Sequence, residues 1–328
     1  MASEAGLPNR GAIILAGRLA GVALLVAGLV LGLTAPATPL DGGWWRFVLY
    51  AIGPLCLGMI VLVLVCRLNG ESTRWVPPVA AVLFAATFAY AVFDSGNPAS
   101  SRQSDVDVWV TIDFIVGRSP LLVLLLIFGT DSIKLAKGVL GFSVLTFVCG
   151  LVTALHFSSP FGGHSVWGFL GDVSRTGADA ALPTMVALTI LRARQDAVRT
   201  AALAGGALVL VLGFADSLWF ANRIPFDGSW FFVLNMTGFF ILAVLLAVAG
   251  RALPDLKQVL AVGTLAVVAT IAGGVWYANL LDADKAWTFG IVSIGNLGML
   301  VVAFLWWLAW PPVSDEAATA MPPGLVEA

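Results

Sequence analysis

Asp172, Arg175 and Asp179 follow one another at intervals of three and four in the segment WGFLGDVSRTGADAALP. On an α-helix those intervals place all three on one face, where a guanidinium can neutralise a carboxylate on either side. Ser174 and Thr176 add hydroxyls to the same stretch. Two further acids sit inside apolar runs: Asp113 in VWVTIDFIVGRSP and Asp216 in VLGFADSLWF. Ionisable groups in such surroundings are costly and mark ligand or ion pathways by default. Asp113, Asp172, Arg175, Asp179 and Asp216 are therefore the candidates for holding a polar solute or an ion. Asn235 and Asn296 lie in two later apolar runs and fit structural hydrogen bonds between helices. A structural alternative stands beside this reading. The Asp172–Asp179 stretch could be a solvated helix that never enters lipid, and Asp113 and Asp216 could be links to Arg118 and Arg175.

Other chemistries find little support. The two histidines, His156 and His164, are eight residues apart around a single loop, a poor set for haem or a metal; a pH-sensing role stays open, because imidazole titrates near neutrality. Cys56, Cys66 and Cys149 form no CxxC pair and no framework of loop cysteines. GTDSIKLAKG lacks Walker spacing, and no G-x-S-x-G elbow occurs. No cofactor and no metal are expected, and no catalytic residue is nominated.

The elements that must position these residues follow from composition. Of 328 residues, 59% are hydrophobic and 11% charged, with mean hydropathy +0.96, against about 25% charged in soluble domains. Apolar runs cover approximately 12–33, 47–66, 76–93, 108–128, 138–157, 168–191, 201–221, 230–250, 258–280 and 288–310. Each is close to the roughly 20 residues that a membrane span requires. The first run is longer than a signal-peptide core and has Glu4 before it, so it reads as a retained span. The fourth and sixth are interrupted by polar residues, which leaves an eight-helix count as the alternative to ten. Residues 311–328, rich in Pro and Ala, are expected to be a disordered tail.

Basic residues test the count. With ten spans and both termini cytoplasmic, the inner segments hold Arg10, Arg18, Arg67, Arg74, Lys134, Lys137, Arg192, Arg194, Arg199, Arg251 and Lys257. The outer side holds fewer: Arg46, Arg102, Arg118, Arg175, Arg223 and Lys285. That is the asymmetry of the positive-inside rule. The outer loops gather acids instead, Asp41, Asp94, Asp105, Asp107, Asp227, Asp282 and Asp284. A multi-pass protein of the cell membrane is the expectation.

A repeat runs through the outer turns. LWFANRIPFDGSW and VWYANLLDADKAW align Trp219, Phe220, Asn222 and Trp230 with Trp276, Tyr277, Asn279 and Trp287. A Trp begins each returning helix: Trp45, Trp109, Trp167, Trp230 and Trp287, at intervals of 64, 58, 63 and 57. Eight residues after four of them comes a glycine (Gly53, Gly117, Gly238, Gly295); the third unit has Arg175 there. An aromatic belt at the headgroups accounts for each Trp alone but not for the fixed offsets. These spacings predict five tandem hairpins, 12–66, 76–128, 138–191, 201–250 and 258–310, within one membrane domain over 12–310 after a short N-terminus, 1–11. The glycines are expected to permit close helix approach, as in GLVLG of the first span and GNLG of the last. The repeats run in parallel, and no inverted halves of the kind common in secondary transporters are visible.

The fold class expected is all-α: a polytopic helical membrane protein of about ten spans. Two functions remain. One is a solute- or ion-handling, transporter-like protein with a polar cavity open to the extracytoplasmic side. The other is a non-catalytic scaffold or accessory subunit whose polar residues only hold helices together. An integral membrane enzyme acting on lipid is a third, weaker reading, because the loops are short. The expected partner is the lipid bilayer, with a second copy or another membrane protein as the further candidate; LWWLAW near the end of the last span suits either contact. Nucleic acid is not expected, since no basic stripe occurs.

Overall fold

A computed structural model of the chain describes residues 10–35, 44–96, 108–130, 132–157, 166–222, 228–253, 255–280 and 285–309. His164, residues 1–9 and 310–328, and the side chains of Trp45 and Trp109 lie outside the described residues. The described residues form ten helices and no strand: α1 (Arg10–Thr34), α2 (Trp44–Asn69), α3 (Val76–Gly96), α4 (Val108–Thr130), α5 (Ile133–Phe157), α6 (Val166–Ile190), α7 (Gln195–Ala221), α8 (Gly228–Ala249), α9 (Leu256–Leu280) and α10 (Lys285–Ala309). Among the described residues, nine are long and apolar enough to cross a membrane. The exception is α6, the helix with Asp172, Arg175 and Asp179. The architecture is that of a multi-pass helical membrane protein.

Helices α5 and α7 start five or six residues before their apolar runs. Their first turns carry Lys134 and Lys137, or Gln195 and Asp196. Water does not forbid helix there, and local caps favour it. The Ser132 hydroxyl accepts the Leu135 N–H at 3.3 Å, and Asp255 Oδ1 accepts the Lys257 N–H at 2.9 Å at the head of α9. Asp196 lies in the first turn of α7, where a negative charge favours the helix dipole.

Consecutive helices pair as α1–α2, α3–α4, α5–α6, α7–α8 and α9–α10, and the even-numbered helices touch in the order α2–α4–α6–α8–α10 and back to α2. They close a ring. Each odd helix lies outside it, against two even ones: α3 touches α2 and α4, α5 touches α4 and α6, and α1 bridges α10 and α2. Burial follows the same division, with 61% of the α2 span enclosed but only 17% of α1. Two contacts between neighbouring ring helices span similar sequence offsets. Arg67 Nη1 donates to the Phe128 carbonyl, 61 residues on, at 2.6 Å, and Arg175 donates to Asn235, 60 residues on. Both offsets are close to the tryptophan intervals.

Glycine allows the tightest contact. A Cβ added at Gly32 of α1 would stand 2.9 Å from the Phe47 carbonyl, and one at Gly21 would stand 2.8 Å from Leu62. Any larger residue would push α1 off α2, in line with the expected role of GLVLG. The glycines eight residues after the tryptophans behave otherwise. Gly117, Gly238 and Gly295 face open space, and Gly53 faces only the Arg118 guanidinium, 2.8 Å away. Close helix approach does not explain them. In the closing span, Trp306 is buried edge-on to Phe128, centroids 4.8 Å apart, and Trp307 Nε1 donates to the Leu253 carbonyl at 2.8 Å.

At the end rich in Arg and Lys, three ring helices stop in the same way. The N–H groups of Glu71, Ala193 and Ala252 bond back to the carbonyls of Cys66, Leu188 and Ala247 at 2.8, 2.9 and 2.7 Å. The residue before each has positive φ: Gly70 at 71°, Arg192 at 55° and Arg251 at 54°. This is a Schellman cap, which normally selects glycine.

Candidate functional site

Inside the ring, the half near the tryptophan turns differs from the other half. Toward the basic end the interior is filled with apolar side chains from all five even helices, including Leu64, Phe128, Val186, Leu246 and Leu305. Toward the tryptophan end, α6, α8 and α10 surround a cavity of about 390 Å³. Its polar wall is Arg175, Asp179, Asn235 and Asn296; its apolar wall includes Phe231, Leu242 and Met299. At 1.5 Å per residue, Asp179 lies about 20 Å along α6 from Val166, near the middle of the helix. Arg175 is about 13 Å along, and Asn296 about 16 Å along α10.

Asn235 is the hub of the polar wall. Its Oδ1 accepts from the Arg175 guanidinium, while its Nδ2 donates to Asp216 Oδ2 at 3.0 Å and to Ser217 Oγ at 3.1 Å. One amide thereby joins α6, α7 and α8, with both donors and the acceptor in use. Arg175 also lies over the Phe239 ring, 4.7 Å from its centroid, a favourable cation–π arrangement. Asp216 is buried, at 3% exposure, and packs where Gly171 leaves room; a Cβ there would be 2.4 Å from its carboxyl carbon. Asn235 and Asp216, expected in different roles, form one network.

Asp179 is placed differently. Arg175 and Arg118 both act on it electrostatically, yet neither closes an ion pair or hydrogen bond with it among the described residues. Arg175 is drawn toward Asn235 and Phe239, and Arg118 lies against Phe114 and Gly53. Arg175, expected to neutralise Asp172 and Asp179 within one helix, acts on Asp179 electrostatically and gives its hydrogen bond to Asn235 of α8. Asn296 likewise makes no hydrogen bond to a described residue, unlike Asn235, although both were expected to bond between helices.

Asp113 and Asp172 are exposed, nearer the tryptophan end. Asp172 faces both Asp113 and Asp216 electrostatically, and Thr153 of α5 is within hydrogen-bonding reach of Asp113. The five candidates thus fall into an outer group of three carboxylates and a deeper group formed by Arg175 and Asp179. Arg118 belongs to the deeper group. Its location in an apolar span was a usable signal, although sequence reasoning gave it only the role of a structural link. Described residues provide no group of three or more His, Cys, Asp or Glu that could hold a metal.

The interfacial aromatics spread along the same end. Trp167 and Trp230 are exposed, whereas Trp287 donates to the Leu31 carbonyl at 3.2 Å and meets Tyr50 edge-on. Trp219, with Trp167 and Phe214, borders a separate groove at the ends of α6 and α7, and Trp276 stands beside Tyr277. Asn222 ends α7 by donating from Nδ2 to the Leu218 carbonyl at 2.9 Å. Comparisons of the chain with protein-family models, curated proteins and solved structures give no match.

Proposed function

We propose that the protein handles a small polar solute, taking it into the ring chamber from the extracytoplasmic side in the manner of a transporter. One observation carries this reading: the chamber wall presents a carboxylate, Asp179, and an amide, Asn296, that no described residue satisfies. Polar groups at membrane depth that serve only as adhesive end up paired with one another, as Asn235 is with Arg175 and Asp216. Groups left open to a cavity serve water and whatever replaces it. The apolar packing toward the basic end supports a chamber closed on that side, which the positive-inside pattern assigns to the cytoplasm.

The test is thiol access. With Cys56, Cys66 and Cys149 replaced by Ala, Asn296→Cys in sealed, right-side-out vesicles should react with a small impermeant thiol reagent added outside. In inside-out vesicles it should react far more slowly. No labelling from outside, with full labelling after denaturation, would refute an open chamber and leave the scaffold reading.

A further inference from the structure

We infer that the chamber takes a small zwitterion with an apolar body, an α-amino acid being the simplest member of that class; this rests on the solute-handling reading above. Charge balance comes first. One cation and one anion line the chamber, Arg175 and Asp179. Arg118 and Arg175 both act on Asp179, and Asn235 links Arg175 to Asp216, which does not line the chamber, so the lining itself presents one charge of each sign. Asp113 and Asp172 lie nearer the end of the bundle and outside the chamber lining. A ligand with net charge would leave an uncompensated charge at membrane depth, which is costly. A ligand with no charges would leave the Asp179 carboxylate without a strong donor.

A zwitterion meets both conditions. Its ammonium donates to Asp179, which has no protein hydrogen bond. Its carboxylate accepts from Arg175, which uses one of its donors on Asn235 and keeps others for a ligand. Arg175 and Asp179 stand one helical turn apart and face the same cavity. Asn235 and Phe239 engage the guanidinium, and it closes no ion pair with Asp179 among the described residues. Asn296 can add a donor or an acceptor on the opposite wall. The remaining wall, with Phe231, Leu242 and Met299, suits an apolar side chain. A volume of about 390 Å³ lies within the usual range for small-molecule sites.

Equilibrium dialysis of the purified full-length protein with labelled leucine and labelled phenylalanine tests this. Saturable binding of at least one is expected. The matching analogues that lack the carboxylate (isopentylamine, phenethylamine) or the amine (4-methylpentanoate, 3-phenylpropanoate) should compete about tenfold less well or worse, since each leaves one charged wall group unmatched. Asp179→Asn should weaken binding about tenfold or more. Gly238→Leu is the control for folding, because Gly238 lines the chamber and a Cβ there meets nothing within 4 Å. It should abolish binding without lowering the unfolding midpoint. Competition by either analogue as strong as by the parent amino acid, or binding undiminished in Gly238→Leu, would overturn the assignment. So would no binding of either amino acid. If that happens while Asn296→Cys still labels from outside, the ligand class fails and the solute chamber survives; if Asn296→Cys is also unreactive, both fall.

Discussion

Asn235→Ala removes three hydrogen bonds that join α6, α7 and α8, two of them to charged partners. Hydrogen bonds between membrane helices average about 0.6 kcal/mol and reach about 1.7, so three give a floor of about 2 kcal/mol. Bonds to charged groups are worth about 1.5–3 kcal/mol each elsewhere, but the Arg175 head is open to the chamber and recovers water when Asn235 is lost. Asp216 is buried and recovers none. The expected loss is therefore about 2–5 kcal/mol, most of it at Asp216. Asn296→Ala, made in the same ring, removes no bond to a described residue and should cost under about 1 kcal/mol. Asn235→Asp should not rescue, since it keeps an acceptor for Arg175 but sets a second carboxylate against Asp216. Reversible unfolding in mixed micelles, followed by tryptophan fluorescence, measures all three. Equal losses for the two alanine variants, or a loss under 1 kcal/mol for Asn235→Ala, would refute the hub.

Gly171→Ala sets a Cβ 2.4 Å from the Asp216 carboxyl carbon and should destabilise by about 1–3 kcal/mol, whereas Gly238→Ala, in open space, should stabilise by about 0.5–1 kcal/mol in the same unfolding assay. Arg251→Gly relieves a left-handed residue at the α8 cap and should stabilise by up to about 1 kcal/mol in that assay; any loss would mean the arginine holds the turn in another way. Outside the spans, the Asn69 amide, followed by Cys66 and Arg18, holds the Glu71 carboxyl below its ordinary range. A depressed carboxylate favours folding above its unfolded pKa and loses that contribution as pH falls through the folded value. Amide exchange in residues 70–73 should therefore accelerate, beyond its intrinsic pH dependence, on acidification below the usual Glu range, and Glu71→Gln should abolish that response. If the five hairpins are tandem repeats, a crystal or electron-microscopy structure should overlay unit four on unit five with Trp219 on Trp276; a mismatch there would make the sequence offsets coincidental.

The helices were legible because a span must contain roughly 20 apolar residues whatever it packs against. The same physics hid the ring. Lipid tails are as apolar as a protein core, so an outer helix such as α1, with Leu19 and Val26 exposed, reads like an inner one. Sequence could locate Asp113, Asp172, Asp179 and Asp216 by their cost, but it could not say which were paired. The pairing of Asp216 and the openness of Asp179 depend on how α8 is rotated against α6 and α7, and apolar runs carry no period that fixes that rotation. Asn235 and Asn296 show the limit clearly. Each is an asparagine within an apolar span and lines the same cavity, yet one is saturated and the other makes no hydrogen bond to a described residue.

The one break in the glycine rule is the place where sequence and structure meet. Eight residues beyond each helix-opening tryptophan the ring has Gly53, Gly117, Arg175, Gly238 and Gly295. At Gly238 the missing side chain leaves space in the chamber, and at Gly53 the Arg118 guanidinium fills it. In α6 the residue itself supplies the guanidinium. Two of the five registers thus hold a positive charge, while glycine keeps three open. Helix α6 can carry its charges because α4, α5, α7 and α8 all touch it, which limits its contact with lipid. A helix too polar to span alone is stabilised by four neighbours, and its charged face is left for the chamber.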